Sequence, residues 1–261
     1  MNPERIAELL TPFFVGHSHD DASPALAEQL RPLSTRQLEQ ISMYIDLIIR
    51  WNARINLTAI RTPDEIATRH FGESLFAARH LPLAGMKKSG CPRFAPVVGA
   101  NLGYTTSPPG VSSQGRLIDV GSGAGFPGIP VKIWFPSTSV TLIESNQKKV
   151  AFLREVIRML TLTDINVFAA RAEAHAPAAA EIVTLRAVER FDKVLPVAVR
   201  LLTEDGTLAL LIGKSQLTEA QRSLPLFTWS KVIPVPLSSG RILVCGDRAN
   251  RSGPSSVEPK Q

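Results

Sequence analysis

The sequence predicts an α/β fold: a doubly wound, mostly parallel sheet that ends in an antiparallel hairpin and follows an N-terminal helical extension. Segments of strand and helix length alternate from Arg116 onward, which is the pattern of a parallel sheet covered by helices. A glycine-rich loop directly follows the first of these strands. The last two strand-like segments are joined by a Pro/Ser/Gly turn that is too short for a crossover helix, so those two strands should be antiparallel.

Apolar periodicity places the individual elements of this sheet. The predicted strands are 117–120, 140–143, 165–168, 182–185, 208–212, 229–235 and 242–244, and the predicted helices between them are 129–134, 150–160 and 191–202. Parallel strands align their carboxyl ends at one edge of the sheet, and ligands of such folds bind in the crevice outside that edge. We therefore expect functional side chains to follow the strand ends.

Two amphipathic helices are predicted in the N-terminal part. Ser34 and Gln37 form a capping box in front of apolar residues at helical spacing, and this helix should end near Trp51. A second helix should begin with Thr62 as N-cap and Glu65 closing its box. The organisation of the chain before the first helix is not predicted.

The chain should divide into four segments. A stretch with four prolines, five glycines and no acidic residue separates the helices from the sheet, and we interpret it as a basic, irregular insert. The predicted segments are a helical extension (1–85), the insert (86–115), a cofactor-binding domain (116–249) and a disordered tail (250–261).

Composition limits the classes of partner and location. The 261 residues are 44% hydrophobic and carry a formal net charge of +6, which suits a polyanion such as nucleic acid or an acidic membrane surface. The first residues lack the basic start and apolar core of a signal peptide, and no apolar run is long enough to span a membrane. We expect a cytoplasmic protein.

Cys91 and Cys245 have no metal-site spacing, so no metal is expected.

The glycine loop predicts a cofactor that carries a ribose. Gly121, Gly123 and Gly125 allow the backbone to turn tightly and to approach a ligand. The segment 123–128 also fits the G-x-G-x-x-G pattern of dinucleotide sites, and Glu144 follows about 20 residues later, where it can accept both ribose hydroxyls. S-adenosylmethionine and NAD both contain that ribose, so the loop alone leaves both cofactors open.

Several motifs together resemble those of one family. They are Trp51-Asn52, Asn56 to Thr58, Arg69-His70, Asp119 to Pro130, Leu142 to Ser145, Lys148-Lys149, Arg171 to Glu173, Arg186-Ala187 and Lys214. They resemble the bacterial 16S rRNA guanine-N7 methyltransferase family RsmG, also called the glucose-inhibited division protein B family, over roughly 38–244 apart from the insert. The resemblance implies a class I (Rossmann-like) methyltransferase that uses S-adenosyl-L-methionine to methylate N7 of a guanine in 16S rRNA.

The resemblance also implies a cofactor site. Its predicted residues are Gly121, Gly123, Gly125, Phe126, Glu144, Ala172, Glu173 and Arg186. Glu144 would hold the ribose, although a solvated pair with Lys148 or Lys149 is the alternative. Ala172 and Glu173 would border the adenine. Arg186 would lie beside the methionine end of the cofactor or the incoming base, the alternative being a surface ion pair with Glu181 or Glu189.

A cluster of basic residues around the helical motifs predicts the RNA surface. The predicted substrate-binding residues are Arg50, Arg54, Asn56, Arg69, His70 and Lys214, with Arg61 as a further basic neighbour. Contacts to phosphates set affinity and position, whereas contacts to base edges select the guanine. The expected partner is 16S rRNA or an assembling small ribosomal subunit, bound by a monomer without a membrane or a metal ion.

The chemistry implied by the resemblance needs no catalytic base. Guanine N7 carries a free lone pair and can attack a methyl group without first losing a proton. No catalytic residue is predicted, and the rate is attributed to alignment and to the exclusion of water. Phe126 and Trp51 are candidates for stacking on the target base, with a core role as the alternative for Trp51.

Two other functions remain open on the sequence. An NAD-dependent oxidoreductase is one, although the final hairpin and the segment Arg171 to Glu173 argue against it. A non-catalytic rRNA-binding assembly module is the other. Glu73 and Glu181 stand where the RsmG pattern commonly has aspartate, and Ser215 stands where it often has glycine, which makes the RNA contacts less defined than the cofactor site.

Overall fold

The computed structural model describes residues 1–14, 32–83, 114–188 and 190–248, and a single mixed sheet lies at its centre. The strands are β1 (Gln114–Val120), β2 (Thr138–Ile143), β3 (Ile165–Phe168), β4 (Ala180–Arg186), β5 (Leu202–Gly213), β6 (Phe227–Trp229), β7 (Ile233–Pro234) and β8 (Arg241–Arg248). Their order is β3-β2-β1-β4-β5-β8-β6, with β7 also paired to β8. The first five strands are parallel, and β8 is antiparallel to β5, β6 and β7.

The helices fall into an N-terminal group and a group that connects the strands. They are α1 (Pro3–Phe14), α2 (Thr35–Asn52), α3 (Pro63–Glu65), α4 (Glu73–Arg79), α5 (Gly128–Trp134), α6 (Gln147–Met159), α7 (Phe191–Leu201) and α8 (Lys214–Ser223). A π-helical segment, Ile66–Gly72, joins α3 to α4. The predicted fold class is therefore confirmed, with helices α1 to α4 as the N-terminal extension.

The sheet is buried on both faces because alternate side chains enter two different apolar clusters. Leu117 and Leu142 pack with α2, α5 and α6, whereas Ile118 and Ile143 pack with α7 on the other side. The sequence of a strand that is covered on both faces is a continuous run of apolar residues. This is the pattern from which the strands were predicted.

The terminal hairpin differs from its prediction in one respect. The predicted strand 229–235 is two short strands, β6 and β7, which both pair with β8. Between them the hydroxyl of Ser230 accepts the backbone N–H of Cys245 at 3.0 Å, so a side chain replaces a main-chain acceptor in the ladder. Pro234 contributes no N–H to the second of these strands.

The start of the chain, which the sequence did not predict, forms α1 and packs into the core. Ile6, Leu10 and Phe13 are fully buried. A side chain at Gly72 would overlap the ring of Phe13, so the close approach of α1 to the π-helical segment requires glycine there. The predicted caps are confirmed: Ser34 with Gln37 for α2, and the Thr62 side chain accepting the Glu65 N–H for α3.

The predicted insert and tail lie outside the described residues, except that the last two residues of the insert belong to β1. Cys91 also lies outside them. Among the ranges that are described, no helix is long and apolar enough to cross a membrane. No group of three or more His, Cys, Asp or Glu side chains in those ranges could hold a metal ion.

Candidate active site

A cleft of about 410 Å³ lies at the carboxyl ends of β1, β2 and β4. Among its lining residues are Gly121, Glu144, Lys149, Ala172, Glu173 and Val188. The strand order reverses between β1 and β4, and this reversal is where doubly wound folds bind their ligands. A second depression of similar size, about 430 Å³, lies between α6 and β3. It lacks the strand-end loops, so the first cleft is the candidate cofactor site.

The glycine loop has a backbone that other residues rarely adopt. Gly121, Gly123 and Gly125 have φ angles of +69°, +58° and +88°, values that favour glycine because it lacks a Cβ. A Cβ at Gly121 would come within 3.0 Å of the Val188 side chain, and both residues line the cleft. A Cβ at Gly125 would overlap the Tyr44 hydroxyl. The loop is therefore shaped to lie against both a ligand and the helical extension.

Glu144 holds this loop against the end of β2. One carboxylate oxygen accepts the N–H of Gly123 at 2.9 Å, and the other accepts the N–H of Asn146 at 2.8 Å. In the described chain, Glu144 forms no ion pair with Lys148 or Lys149, which was the alternative prediction. Each carboxylate oxygen retains a lone pair, so the side chain can still accept ligand hydroxyls.

Hydrogen bonds from Arg200 hold the turn that carries Ala172 and Glu173. Its guanidinium donates to the backbone carbonyls of Ala172 and Glu173, both at 3.0 Å, and to that of His175 at 2.9 Å. Ala172 is buried and Glu173 is exposed at the rim of the cleft. No sequence pattern pointed to Arg200, because its partners are main-chain atoms about 25 residues away.

Asp119, which belongs to the predicted motif Asp119 to Pro130 but was given no role there, anchors the strand that enters the loop. It is fully buried and accepts hydrogen bonds from the Thr184 hydroxyl (2.8 Å) and the Gly128 N–H (3.1 Å). Burial raises the pKa of this carboxyl to about 6 despite these bonds. Asp119 thus ties β1 to β4 and to the start of α5. The available signal was an acidic residue inside an otherwise apolar strand.

Phe126 was predicted to line the cofactor pocket, and the structure places it in an aromatic stack beside that pocket. Its ring stacks on Tyr44 (centroids 5.4 Å apart) and on His70 (4.7 Å apart), and Phe126 is 4% exposed. Trp51 packs on Phe152 and donates its indole N–H to Glu155 at 3.1 Å. Trp51 therefore has the alternative, core role.

Arg186 ends β4 next to the cleft residues Ala187 and Val188 and is itself buried. One terminal nitrogen, Nη2, donates to a Glu73 carboxylate oxygen at 2.9 Å and to the Arg69 carbonyl at 2.7 Å. Burial is the main cause that lowers the pKa of Arg186, and Glu73 is the largest opposing influence. The buried Nε of Arg186 has no hydrogen-bond partner among the described residues, so one buried donor of this side chain is unpaired.

The alternative prediction for Arg186 was a surface ion pair with Glu181 or Glu189, and the pair with Glu181 is not formed. Glu181 pairs with Arg116 at 2.7 Å, and Glu189 lies outside the described residues. Instead, the carboxylate oxygen of Glu73 that binds Arg186 also accepts Arg241 Nη1 at 3.2 Å. Two arginines and one glutamate give this cluster a net positive charge.

His70 was predicted to contact RNA, and the structure encloses it next to Arg186. It is 9% exposed, and burial, followed by the charge of Arg186, lowers its pKa to about 3. Arg186 Nη2 lies 3.2 Å from His70 Nδ1. Because a guanidinium can only donate, Nδ1 must be the acceptor and the proton must sit on Nε2. Nε2 then donates to the Thr58 hydroxyl at 2.8 Å.

The other predicted RNA-contacting side chains are exposed, namely Arg50, Arg54, Asn56, Arg69 and Lys214. Buried Asn52 organises the loop that follows α2, since its amide donates to the Thr58 carbonyl at 3.0 Å and its oxygen accepts the Leu57 N–H at 3.0 Å. The Lys214 N–H donates to the Gly240 carbonyl, next to Arg241. Of the predicted basic residues, Arg69 and Lys214 therefore adjoin the Arg186 cluster.

Comparisons with known proteins agree with this geometry. A family model described as GidB, rRNA small subunit methyltransferase G, matches residues 37–86 and 107–241. The Ribosomal RNA small subunit methyltransferase G of Xylella fastidiosa is 39% identical over 171 residues, which are 65% of this chain and 66% of the relative. That of Chloroflexus aggregans is 37% identical over 201 residues, 74% and 72% of the two chains.

Among solved structures, a SAM dependent methyltransferase from Aquifex aeolicus has a TM-score of 0.44 and 17% identity, and the match covers 52% of this chain and 84% of that one. The sheet order, with parallel strands followed by an antiparallel partner of β5, is that of the class I methyltransferase fold. Within that class, the chain belongs to the rRNA small subunit methyltransferase G (GidB) family. This membership decides between the two cofactors that the glycine loop left open.

His70 and Asp119 should contribute oppositely to the pH dependence of stability. The folded-state pKa of His70 is about 3, below its ordinary 6.5. The unfolded chain therefore binds more protons between these values, and stability falls as the pH is lowered from about 6.5 towards 3. The pKa of Asp119 is raised from 3.8 to about 6. The folded chain binds more protons in that window, so Asp119 adds stability as the pH is lowered through it.

Asp119→Asn should therefore make the free energy of unfolding fall more steeply between pH 6 and 4, by up to about 1.4 kcal/mol per pH unit. The amide can still accept the Gly128 N–H and pair with the Thr184 hydroxyl. Urea unfolding at half-unit pH steps measures the effect, with the same change at exposed Asp192 as the control. Stability curves for Asp119→Asn that run parallel to those of the unchanged protein would contradict it.

Proposed function

We propose that the protein transfers the methyl group of S-adenosylmethionine to N7 of a guanine in 16S rRNA, acting in the cytoplasm as a monomer. The observation that carries this proposal is the position of the cleft. It lies directly beside the buried Arg186, and the exposed residues Arg69 and Lys214 adjoin the cluster that Arg186 forms with Glu73 and Arg241. A cofactor in the cleft and an RNA base in front of Arg186 would then be neighbours.

The cleft fits the shape and chemistry of the cofactor. Because Gly121 has no Cβ, the space between it and the Val188 side chain stays open for a ligand. The Glu144 carboxylate can accept ribose hydroxyls. Ala172 offers an apolar contact for a flat ring at the other wall. The unpartnered Nε–H of Arg186 can donate to a carboxylate or to a base acceptor. Bound S-adenosylmethionine would supply an electrophilic methyl group.

The side chains near the cleft support a reaction without a general base. The Nδ1 lone pair of His70 is occupied by Arg186, and Asp119 is fully buried within the sheet. Guanine N7 needs no deprotonation before it attacks a methyl group. The protein would therefore act by aligning N7 with the methyl group and by excluding water from the charged sulfonium.

The proposed reaction is tested by incubating the protein with undermethylated small ribosomal subunits and labelled S-adenosylmethionine, followed by cleavage of the rRNA at N7-methylguanosine. The expected result is one labelled guanine in 16S rRNA. Naked 16S rRNA in a parallel reaction shows whether the assembled subunit is needed. Label on another atom, or no transfer to either substrate, would exclude the proposal.

Glu144→Gln should weaken the binding of S-adenosylmethionine by about tenfold or more. The amide nitrogen cannot accept a hydrogen bond, so one oxygen must serve both the loop and the ribose, and a lost bond of this kind is worth about 1.5–3 kcal/mol. Calorimetry measures the affinity. Glu181→Gln is the matched control, because Glu181 pairs with Arg116 and does not line the cleft. Equal affinities for both variants would remove Glu144 from the site.

Arg54→Ala and Lys214→Ala should weaken RNA binding and flatten its salt dependence. Each lost phosphate contact lowers the slope of log affinity against log salt by about 0.9 for a duplex and by about 0.7 for a single strand. Arg158→Ala is the control, because Arg158 lines the depression between α6 and β3. Unchanged slopes in both variants, measured by fluorescence anisotropy, would show that neither side chain contacts phosphate.

A further inference from the structure

A chain of hydrogen bonds runs from the exposed loop after α2 to the edge of the cofactor cleft. The Thr58 hydroxyl accepts the N–H of Ile60 at 3.1 Å and the Nε2–H of His70 at 2.8 Å. The two N–H groups of Arg186 Nη2 serve Glu73, the Arg69 carbonyl and, at 3.2 Å, His70 Nδ1, so Nδ1 accepts a hydrogen that is shared with one of the other two acceptors. The loop that holds Thr58 also carries exposed Arg54. An RNA-facing loop and the arginine beside the cleft are thus connected through one imidazole.

The imidazole can make these two bonds in only one arrangement. Arg186 is a pure donor, so the ring nitrogen that faces it must be unprotonated. The ring plane is fixed by stacking on Phe126, with centroids 4.7 Å apart and planes at 20°. The charges around the ring are those of Arg69, Arg186 and Arg241, with Glu73 between the last two. His70 therefore has a defined tautomer, position and tilt.

We propose that His70 is a positioning residue for methyl transfer, which sets the orientation of the Arg186 guanidinium through Nδ1 and links it to the Thr58 loop through Nε2. This inference rests on the proposed function. The free Nε–H of Arg186 belongs to the same rigid, planar guanidinium as Nη2. Holding Nη2 against His70 therefore also fixes the direction in which Nε–H meets a ligand.

A ring that only filled space would respond differently to substitution. His70→Phe preserves the stack on Phe126 but removes both hydrogen bonds. His70→Asn leaves a gap in the stack but places an amide oxygen close to the position of Nδ1, where it can accept from Arg186. A space-filling role ranks Phe above Asn in activity, whereas a positioning role ranks Asn above Phe.

The expected result for His70→Phe is a loss of kcat of about tenfold or more, because small errors of alignment carry large rate penalties. The KM for rRNA and the affinity for S-adenosylmethionine should change less than about twofold, since Arg186 remains bonded to Glu73 and to the Arg69 carbonyl. His70→Asn restores the acceptor for Arg186 but not the link to Thr58, so its kcat should fall by no more than severalfold. Thermal unfolding of both variants separates losses of rate from losses of folded protein.

A second pair of variants keeps the test decisive if either His70 variant fails to fold. Thr58→Ser preserves the hydroxyl and should match the unchanged protein in kcat. Thr58→Val has a similar shape without the hydroxyl and should lower kcat severalfold at unchanged KM. Equal kcat for Ser and Val at position 58, or higher activity for His70→Phe than for His70→Asn, would overturn the proposal.

A measurement without cofactor or RNA separates this proposal from the proposed function. Long-range ¹H–¹⁵N spectra of the ¹⁵N-histidine-labelled protein, assigned with a His70 variant, should show the proton on Nε2 and a lone pair on Nδ1 at pH 7. A proton on Nδ1 would overturn the proposal. If the unchanged protein transferred no methyl group, the proposed function would fail, and the spectra would still decide whether His70 faces Arg186 as described.

Discussion

The buried ion pair between Glu73 and Arg186 is the interaction on which the arrangement of the site depends. Glu73 belongs to the helical extension and Arg186 to the end of β4, and their side chains are 3% and 6% exposed. Burying two charges costs several kcal/mol for each ion unless both are well paired and hydrogen-bonded. Arg241 and the Arg69 carbonyl supply those further bonds. These bonds can form together only when the helical extension packs on the sheet in this position, so the ion pair stabilises this arrangement.

The same docking assembles the rest of the site. With the π-helical segment held at Arg186, His70 stacks on Phe126, and Tyr44 of α2 also stacks on that ring. Phe126 belongs to the glycine loop, and the Tyr44 hydroxyl is hydrogen-bonded to the carbonyl of Ala124 in the same loop. The extension thus forms part of the cofactor loop's support. Without the helical extension, the sheet would lack the residues that surround Arg186, where the substrate base is proposed to bind.

Much of the fold followed from the sequence because the signals were local. Strand Ile165–Phe168 has the predicted limits, and the N-caps Ser34 and Thr62 set the helix starts. The cleft residues Gly121 and Glu144 could be predicted because a glycine loop after a strand and an acid after the next strand have a known spatial relation.

What the sequence did not predict depends on contacts between distant segments. The burial of His70 and Phe126 follows from the packing of the extension, which no local pattern encodes. Glu73 was noted only as a departure from a motif, and its partners Arg186 and Arg241 lie more than 100 residues away. Helix α1 was missed because its apolar face is short and is completed only by the π-helical segment and α2.

The most direct test of this account is a double-mutant cycle on the buried pair, with Glu73→Gln, Arg186→Met and the double variant compared by urea unfolding. Each single change should cost about 3–5 kcal/mol, because it removes one partner of a buried ion pair. The double variant should lose less than the sum of the two, by at least about 1 kcal/mol. Losses that add to within about 0.5 kcal/mol would show that the two residues do not stabilise each other, and would contradict the account.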